Sequence, residues 1–323
     1  MMKPIILLSA LTFASALTAL GVNQDQSGNL LALDVSIDAS SGNLSLGIPS
    51  SPYNPVTDVC VASYNGSAFA VSDGNGLQIV NMNGTVSNVT INIPGIVIIS
   101  MCYSNALNSD VFLGWNSSTG KKPIIHTKNI NGNKYMSSDT NPQISAVNRN
   151  TGAVTVLQSD IDGGAFLKCV CTIDDHAPNN TIAFITSILN DQESDQFVMM
   201  VCVNGSCTST QTRFSMYTKG DTNTLTVDSS SHNVYSIAGM SNPQLWAVNP
   251  YNKTVRLVVN YSSNYSVTPL AAGTLSNGMH YSILEDVNSN EFLASYNFSS
   301  GNVSYVSLSG ANNLSSGLWV LNP

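Results

Sequence analysis

The chain has 323 residues, of which only 9% are charged, and a formal net charge of −8. An average soluble protein carries about 25% charged residues, and an acidic balance disfavours nucleic acid and anionic membranes as partners while tolerating cations. Asn, Ser, Thr and Gly fill the polar positions, so something other than side-chain charge has to hydrate this surface.

From the N-terminus, Met1, Met2 and Lys3 precede an apolar run over residues 4–21, and the first acid is Asp25. A basic start, an apolar middle and small-residue sites after Ala16 (Ala14-Ser15-Ala16) or Gly21 (Ala19-Leu20-Gly21) predict a secretory signal peptide over residues 1–21. An uncleaved anchor is the alternative. No later apolar run is long enough to span a bilayer, and the stretch 316–323 is too short for a lipid-anchor signal. The expectation is one domain over residues 22–323, secreted to the extracellular space or the cell surface. Loss of Lys3 with the leader takes its formal charge from −8 to −9.

Asn-X-Ser/Thr sequons with X not Pro stand at Asn43, Asn65, Asn83, Asn88, Asn116, Asn179, Asn204, Asn252, Asn260, Asn264, Asn297, Asn302 and Asn313. A chain this rich in Asn, Ser and Thr makes some of them by chance. Behind a signal peptide, a majority is expected to carry N-linked glycans, which supply the hydration that charge does not. The cysteines are Cys60, Cys102, Cys169, Cys171, Cys202 and Cys207, and an even number in a secreted chain predicts disulfides. Cys202 and Cys207 flank Val203-Asn204-Gly205-Ser206, and an Asn-Gly turn sets them face to face. Cys169 and Cys171 share a strand face but sit too far apart to bond each other easily, so at least one should reach Cys60 or Cys102. Zinc is the alternative, although no matching histidine cluster accompanies these spacings.

The strongest internal signal pairs Asn141-Pro142-Gln143-Ile144-Ser145-Ala146-Val147-Asn148 with Asn242-Pro243-Gln244-Leu245-Trp246-Ala247-Val248-Asn249, 101 residues later. That separation is two periods of about 50 residues, and periods of this size with four short strands each mean propeller blades. The same strand, polar turn, strand grammar recurs over residues 31–46, 77–91, 197–208 and 292–306. First strands are expected over 59–63, 98–103, 166–172, 225–228 and 270–274, and second strands over 68–72, 111–115, 182–188, 234–238 and 279–284. Five full units cover residues 58–310, and the pieces 29–51 and 311–323 make about one more.

These repeats, each an apolar strand ending in Asn or Asp, a Gly-containing turn and a second apolar strand, resemble those of the β-propeller superfamily. No WD dipeptide, kelch double glycine or sialidase Asp box is present, so the resemblance brings a fold and no activity. It implies an all-β chain with a single propeller of about six four-stranded blades, the last shared by N- and C-terminal strands. A β-sandwich or jelly roll is the alternative, because alternating strands alone do not separate the two.

His126, His176, His232 and His280 show no metal spacing, and no nucleophile motif or phosphate loop is present. In Asp174-Asp175-His176 a carboxylate stands beside a histidine that it could orient for proton transfer. Lacking a paired nucleophile, this tripeptide reads as a solvated loop. No catalytic residue, metal or resident cofactor is assigned, with one calcium candidate at Asp191, Glu193 and Asp195, whose spacing is not that of an EF-hand.

In a propeller the loops from first to second and third to fourth strands share one edge, which here takes most sequons. Asp73, Asp162, Asp191, Glu193, Asp195, Glu285 and Asp286 fall toward the other, the candidate ligand face. The expected function is an extracellular structural or binding glycoprotein, such as a coat, matrix or adhesion component. Its partners would be its own glycans and an extracellular protein, glycan or second copy, with filament assembly by exchange of the terminal strand as a variant. A secreted propeller hydrolase or lyase for glycans is the rival and needs two carboxylates about 5–10 Å apart.

Overall fold

The computed structural model describes residues 16–24, 30–46, 62–72, 76–81, 83, 85–92, 96–116, 124–130, 133–138, 140–159, 161, 165–179, 181–189, 195–203, 206–212, 224–238, 242–267, 274–308 and 318–321. The described residues contain strands and turns and no helix. The strands group into six sheets, all of them antiparallel, of which four are four-stranded.

In chain order the first strands are β1 (Ala16–Gln24), β2 (Leu30–Asp38) and β3 (Leu44–Leu46). They belong to the sheet that the chain finishes last, here sheet VI. Sheet I follows as β4 (Ala62–Tyr64), β5 (Ala68–Ser72), β6 (Gly76–Asn81) and β7 (Val86–Thr90). Sheet II contains β8 (Ile96–Ser104) and β9 (Ser109–Asn116), then the hairpin β10 (Ile125–Ile130) and β11 (Asn133–Ser138) intervenes before β12 (Gln143–Val147) and β13 (Val154–Gln158) complete it. Sheet III is β14 (Ala165–Ala177), β15 (Thr181–Leu189), β16 (Asp195–Val203) and β17 (Ser206–Thr212), and β10–β11 add to its β14 edge. Sheet IV is β18 (Thr224–Asp228), β19 (Asn233–Ala238), β20 (Gln244–Asn249) and β21 (Thr254–Asn260). Sheet V has β22 (Tyr265–Val267) and β23 (Thr274–Ser276) both pairing β24 (Met279–Asp286), followed by β25 (Glu291–Asn297) and β26 (Val303–Ser307). The last strand, β27 (Leu318–Leu321), pairs with β1, so sheet VI has the order β27-β1-β2-β3.

Burial explains why the second strands read as apolar runs without alternation. Every residue of β5 is buried, as is β9 from Asp110 to Trp115. A strand buried on both faces has a neighbouring layer on each side, whereas a two-layer sandwich leaves one face of each sheet to solvent and imposes alternation. The outer strands β7, β13, β21 and β26 have no buried residue, each position being exposed or half-buried. Consecutive sheets share five cores. Ile79 meets Phe112 between I and II, Trp115 meets Phe166 between II and III, and Ile185 meets Val234 between III and IV. Tyr235 meets Leu284 between IV and V, and Ile283 meets Leu17 between V and VI. This serial, face-to-face stacking of small sheets is a propeller-like arrangement.

The two copies of the Asn-Pro-Gln repeat open β12 and β20, each the third strand of its sheet. Both have a register shift at the same step, Ile144/Ser145 and Leu245/Trp246, and both prolines accept a backbone bond from after the fourth strand. Ile161 N–H reaches Pro142 O at 3.1 Å, and Tyr261 N–H reaches Pro243 O at 2.8 Å. Turns from third to fourth strands press back on the preceding sheet. Gly152 (φ +67°) lies so close to Thr90 O of β7, and Gly42 (φ +72°) to Ser307 O of β26, that a Cβ would overlap either carbonyl.

Two expectations change. Residues 117–142 hold an unforeseen hairpin, because its Lys-, Asn- and His-bearing strands lack an apolar alternation. The fifth first strand, expected at 270–274, lies mostly outside the described residues, and two short strands that flank it, β22 and β23, both pair with β24. Residues 16–21, which the expected leader includes, also begin a nine-residue strand in which Leu17 and Ala19 are fully buried.

Cys102 of β8 and Cys171 of β14 are joined by a disulfide between sheets II and III, one of the pairings expected for the Cys169/Cys171 couple. The register sets Cys202 directly opposite Cys207 across β16 and β17, while Cys60 lies outside the described residues. The Cys102–Cys171 bond closes a loop of 69 residues. Replacing both cysteines with alanine is expected to lower the unfolding free energy by about 2–5 kcal/mol in urea titration.

Candidate functional site

The edge formed by turns from first to second and third to fourth strands has a row of polar bridges between neighbouring sheets. Arg149, in the turn after β12, donates from Nε to Asp110 Oδ2 at 2.7 Å and from Nη2 to Asp110 Oδ1 at 2.8 Å. Its other protons go to Ala68 O at 3.0 Å, Ser63 O at 3.1 Å and Ser63 Oγ at 2.9 Å, all in sheet I. The guanidinium also stands 4.7 Å from the Tyr103 ring centroid. Asp110 is fully buried and Arg149 nearly so, which a charge pair tolerates only when its remaining protons and lone pairs are occupied.

The next bridge runs from sheet II to III. Asp175 of β14 accepts from Ser104 Oγ at 2.5 Å and from Asn105 N–H at 2.8 Å, holding the turn after β8. Its neighbour Asp174 turns to sheet IV. There Asp174 Oδ2 lies 2.9 Å from His232 Nδ1 and accepts the Tyr251 hydroxyl at 2.9 Å. Burial, with the Asp174 carboxylate behind it, pushes the Tyr251 phenol far above its ordinary range, so it stays a donor. Asp174-Asp175-His176 is therefore no solvated loop: it lies in β14, Asp174 is fully buried and only His176 is exposed. An Asp–His pair is also the orienting half of a general base. No described hydroxyl or thiol bonds to His232, and the tie to Tyr251 makes the group a bridge between sheets.

Seven sequon asparagines lie in or beside turns of this edge: Asn43, Asn65, Asn83, Asn179, Asn252, Asn297 and Asn302. Asn65, Asn83 and Asn252 share one local geometry. Each Oδ1 accepts the backbone N–H and the hydroxyl of the Ser or Thr two residues on, an Asx turn that fixes the sequon. Asn88 and Asn260 are exposed on outer strands, Asn264 is exposed in a turn, and Asn116 ends β9. Asn204 and Asn313 lie outside the described residues. The bias in acids is weaker than expected. Asp38, Asp110, Asp174, Asp175 and Asp228 all stand at the sequon-rich edge, but bridges and turn caps occupy their carboxylates. Bonds from Ser40, then Ser41, hold Asp38 down at about 2.

Of the acids expected at the opposite edge, Asp73, Asp162, Asp191 and Glu193 lie outside the described residues, and Asp195 opens β16. The calcium loop therefore lies mostly outside them as well. Among the described residues no three His, Cys, Asp or Glu side chains gather as metal ligands. Asp286 caps its own turn through Asn288 and Asn290, and bonds led by the Asn290 side chain lower its carboxyl. Glu285 sits directly across from Glu291, whose Oε2 is buried with no hydrogen-bond partner among the described residues. Burial first, and the Glu285 charge second, raise the Glu291 carboxyl. The hairpin β10–β11 joins sheet III here, at the start of β14, by Tyr135 opposite Leu167 and Met136 opposite Phe166. Met136 fills the core between sheets II and III while His126 is exposed.

His280 is fully buried in β24. Its Nδ1 is 3.3 Å from Ser282 Oγ, and its Nε2 has no partner among the described residues. Burial lowers it from its ordinary 6.5 to about 3.

No family model and no curated protein matches the chain. Among solved structures it is similar to a TolB protein from Agrobacterium tumefaciens at 10% identity, covering 90% of this chain and 88% of that one, with a TM-score of 0.51. It also aligns with a 6-phosphogluconolactonase from Bacteroides uniformis at 13% identity, covering 95% of this chain and 97% of that one, with a TM-score of 0.47. The likeness to TolB is one of fold alone, and that fold is a β-propeller.

Arg149→Met leaves Asp110 buried and unpaired and is expected to cost about 3–5 kcal/mol in urea unfolding. Arg149→Met combined with Asp110→Leu should recover part of that loss. His280 gives a second test. The unfolded histidine takes up a proton below its ordinary 6.5 and the native one only near 3, so stability is complete above 6.5 and falls as pH drops through this window. The slope is expected to approach about 1.4 kcal/mol per pH unit, and His280→Leu should flatten that part of the curve.

Proposed function

We propose that this chain is a secreted, N-glycosylated extracellular structural or binding glycoprotein. In this reading each sheet is one blade of a six-bladed propeller, and sheet VI is the blade shared by both ends of the chain. The observation that carries the proposal is the division of labour between the two edges. One edge combines seven sequon asparagines with the bridges that join sheets, and its buried acids are occupied structurally. The other carries the inserted hairpin, and in repeat folds insertions collect on the loop face that binds. A glycan-shielded, stapled edge opposite an elaborated one suits a coat, matrix or adhesion component that meets its partner through β10–β11.

Self-assembly is a variant of the same reading. β27 pairs with β1 over Thr18–Leu321 to Gly21–Leu318, and the same four-residue pairing made with β1 of a second copy would join copies into a filament. The rival, a glycan hydrolase or lyase, is favoured by one observation, the opposed Glu285 and Glu291 with the raised carboxyl of the latter.

Glycopeptide mapping of the secreted chain tests the division of edges. Occupancy is expected at Asn65, Asn83, Asn179 and Asn252, and sugars spread equally over both loop sets would overturn it. Electron microscopy of the same material with and without residues 311–323 separates filaments lost on trimming from closed rings. Release of reducing ends from oligosaccharides that Glu285→Gln abolishes would favour the enzyme.

A further inference from the structure

The leader of this chain offers two cleavage sites, after Ala16 and after Gly21, and the fold can use the product of only one. We propose that signal peptidase cuts between Ala16 and Leu17; this rests on the secretory reading above. β1 begins at Ala16 and pairs β2 from Ala16 opposite Asp38 to Gln24 opposite Leu30. Leu17 and Ala19 are fully buried among Val35, Ile37, Tyr281, Ile283 and Leu293, in the core between sheets V and VI. The whole contact of β27 with its sheet falls on Thr18, Ala19, Leu20 and Gly21.

A cut after Gly21 removes all four of these residues with Leu17. It leaves β27 without its described partner and opens a gap in the core that Tyr281 and Ile283 line. A cut after Ala16 removes one strand residue, at the end of the β1–β2 ladder, and leaves every β27 pair in place. The chemistry is hydrolysis of the Ala16–Leu17 amide by water. The hydroxyl goes to the Ala16 carbonyl carbon and a proton to the Leu17 nitrogen, giving a carboxylate on the leader and an α-ammonium on the mature chain. That ammonium forms one register step from the position opposite Asp38.

N-terminal sequencing of the full chain after expression in a secreting eukaryotic cell decides the question. The expected mature start is Leu17-Thr18-Ala19-Leu20. A start at Val22 overturns the site and leaves the secretory reading standing, whereas a chain kept in the cell with Met1 in place overturns both. A second measurement compares chains that begin at Leu17 or at Val22 behind the same foreign leader. The Leu17 chain should match the parent in secreted amount and thermal midpoint, and the Val22 chain should fall well below it in both. Equal behaviour of the two overturns the proposal.

Discussion

The second strands of sheets I and II have no solvent face. Because β5 and most of β9 are buried along both sides, sheets I and II cannot stand as layers with a wet outer surface. Each needs a neighbour before it and a neighbour after it. That requirement produces the serial stacking, the apolar second strands and the exposure of the fourth, and it concentrates polar chemistry at the sheet edges, where turns are within reach of water and of each other.

The polar bridges follow from this stacking. Apolar faces slide over one another at little cost, since the hydrophobic effect has no direction. Hydrogen bonds do have direction, and those of Arg149, Asp175 and Asp174 fix the stacking offset between sheets I and II, II and III, and III and IV. The glycines at 42 and 152 serve the same end by letting a turn touch the backbone of the sheet behind it. A titratable group used in this way is withdrawn from chemistry, which is why Asp174 and His232 read as structure.

Much of the architecture was legible in the sequence because it repeats. The spacing of the Asn-Pro-Gln copies gave the period, and the second strands match closely in position, since an apolar run between polar turns leaves little freedom. The bridges were not legible. Arg149 and Ser63, or Asp174 and Tyr251, are far apart in the chain and belong to different sheets, and nothing local marks one aspartate as buried and its neighbour as a turn cap. The hairpin β10–β11 escaped notice for a related reason: its strands lack the alternation that advertises a buried face, and among its described side chains Met136 is the one anchored in a core. β1 was hidden because an apolar, small-residue run is written alike for a leader and for a buried strand.

The pairing of β27 with β1 also sets a timetable. Synthesis proceeds from the N-terminus, so β1 to β3 leave the ribosome first and then wait, edge unpaired, while five sheets form behind them. The partner they need is the last strand made, almost 300 residues away, and closing so long a loop carries an entropic cost that slows the step. During that interval β1 is an apolar strand whose β27 edge has open hydrogen-bonding groups, the kind of edge that pairs with other chains. The chain is most vulnerable at its beginning until its end arrives.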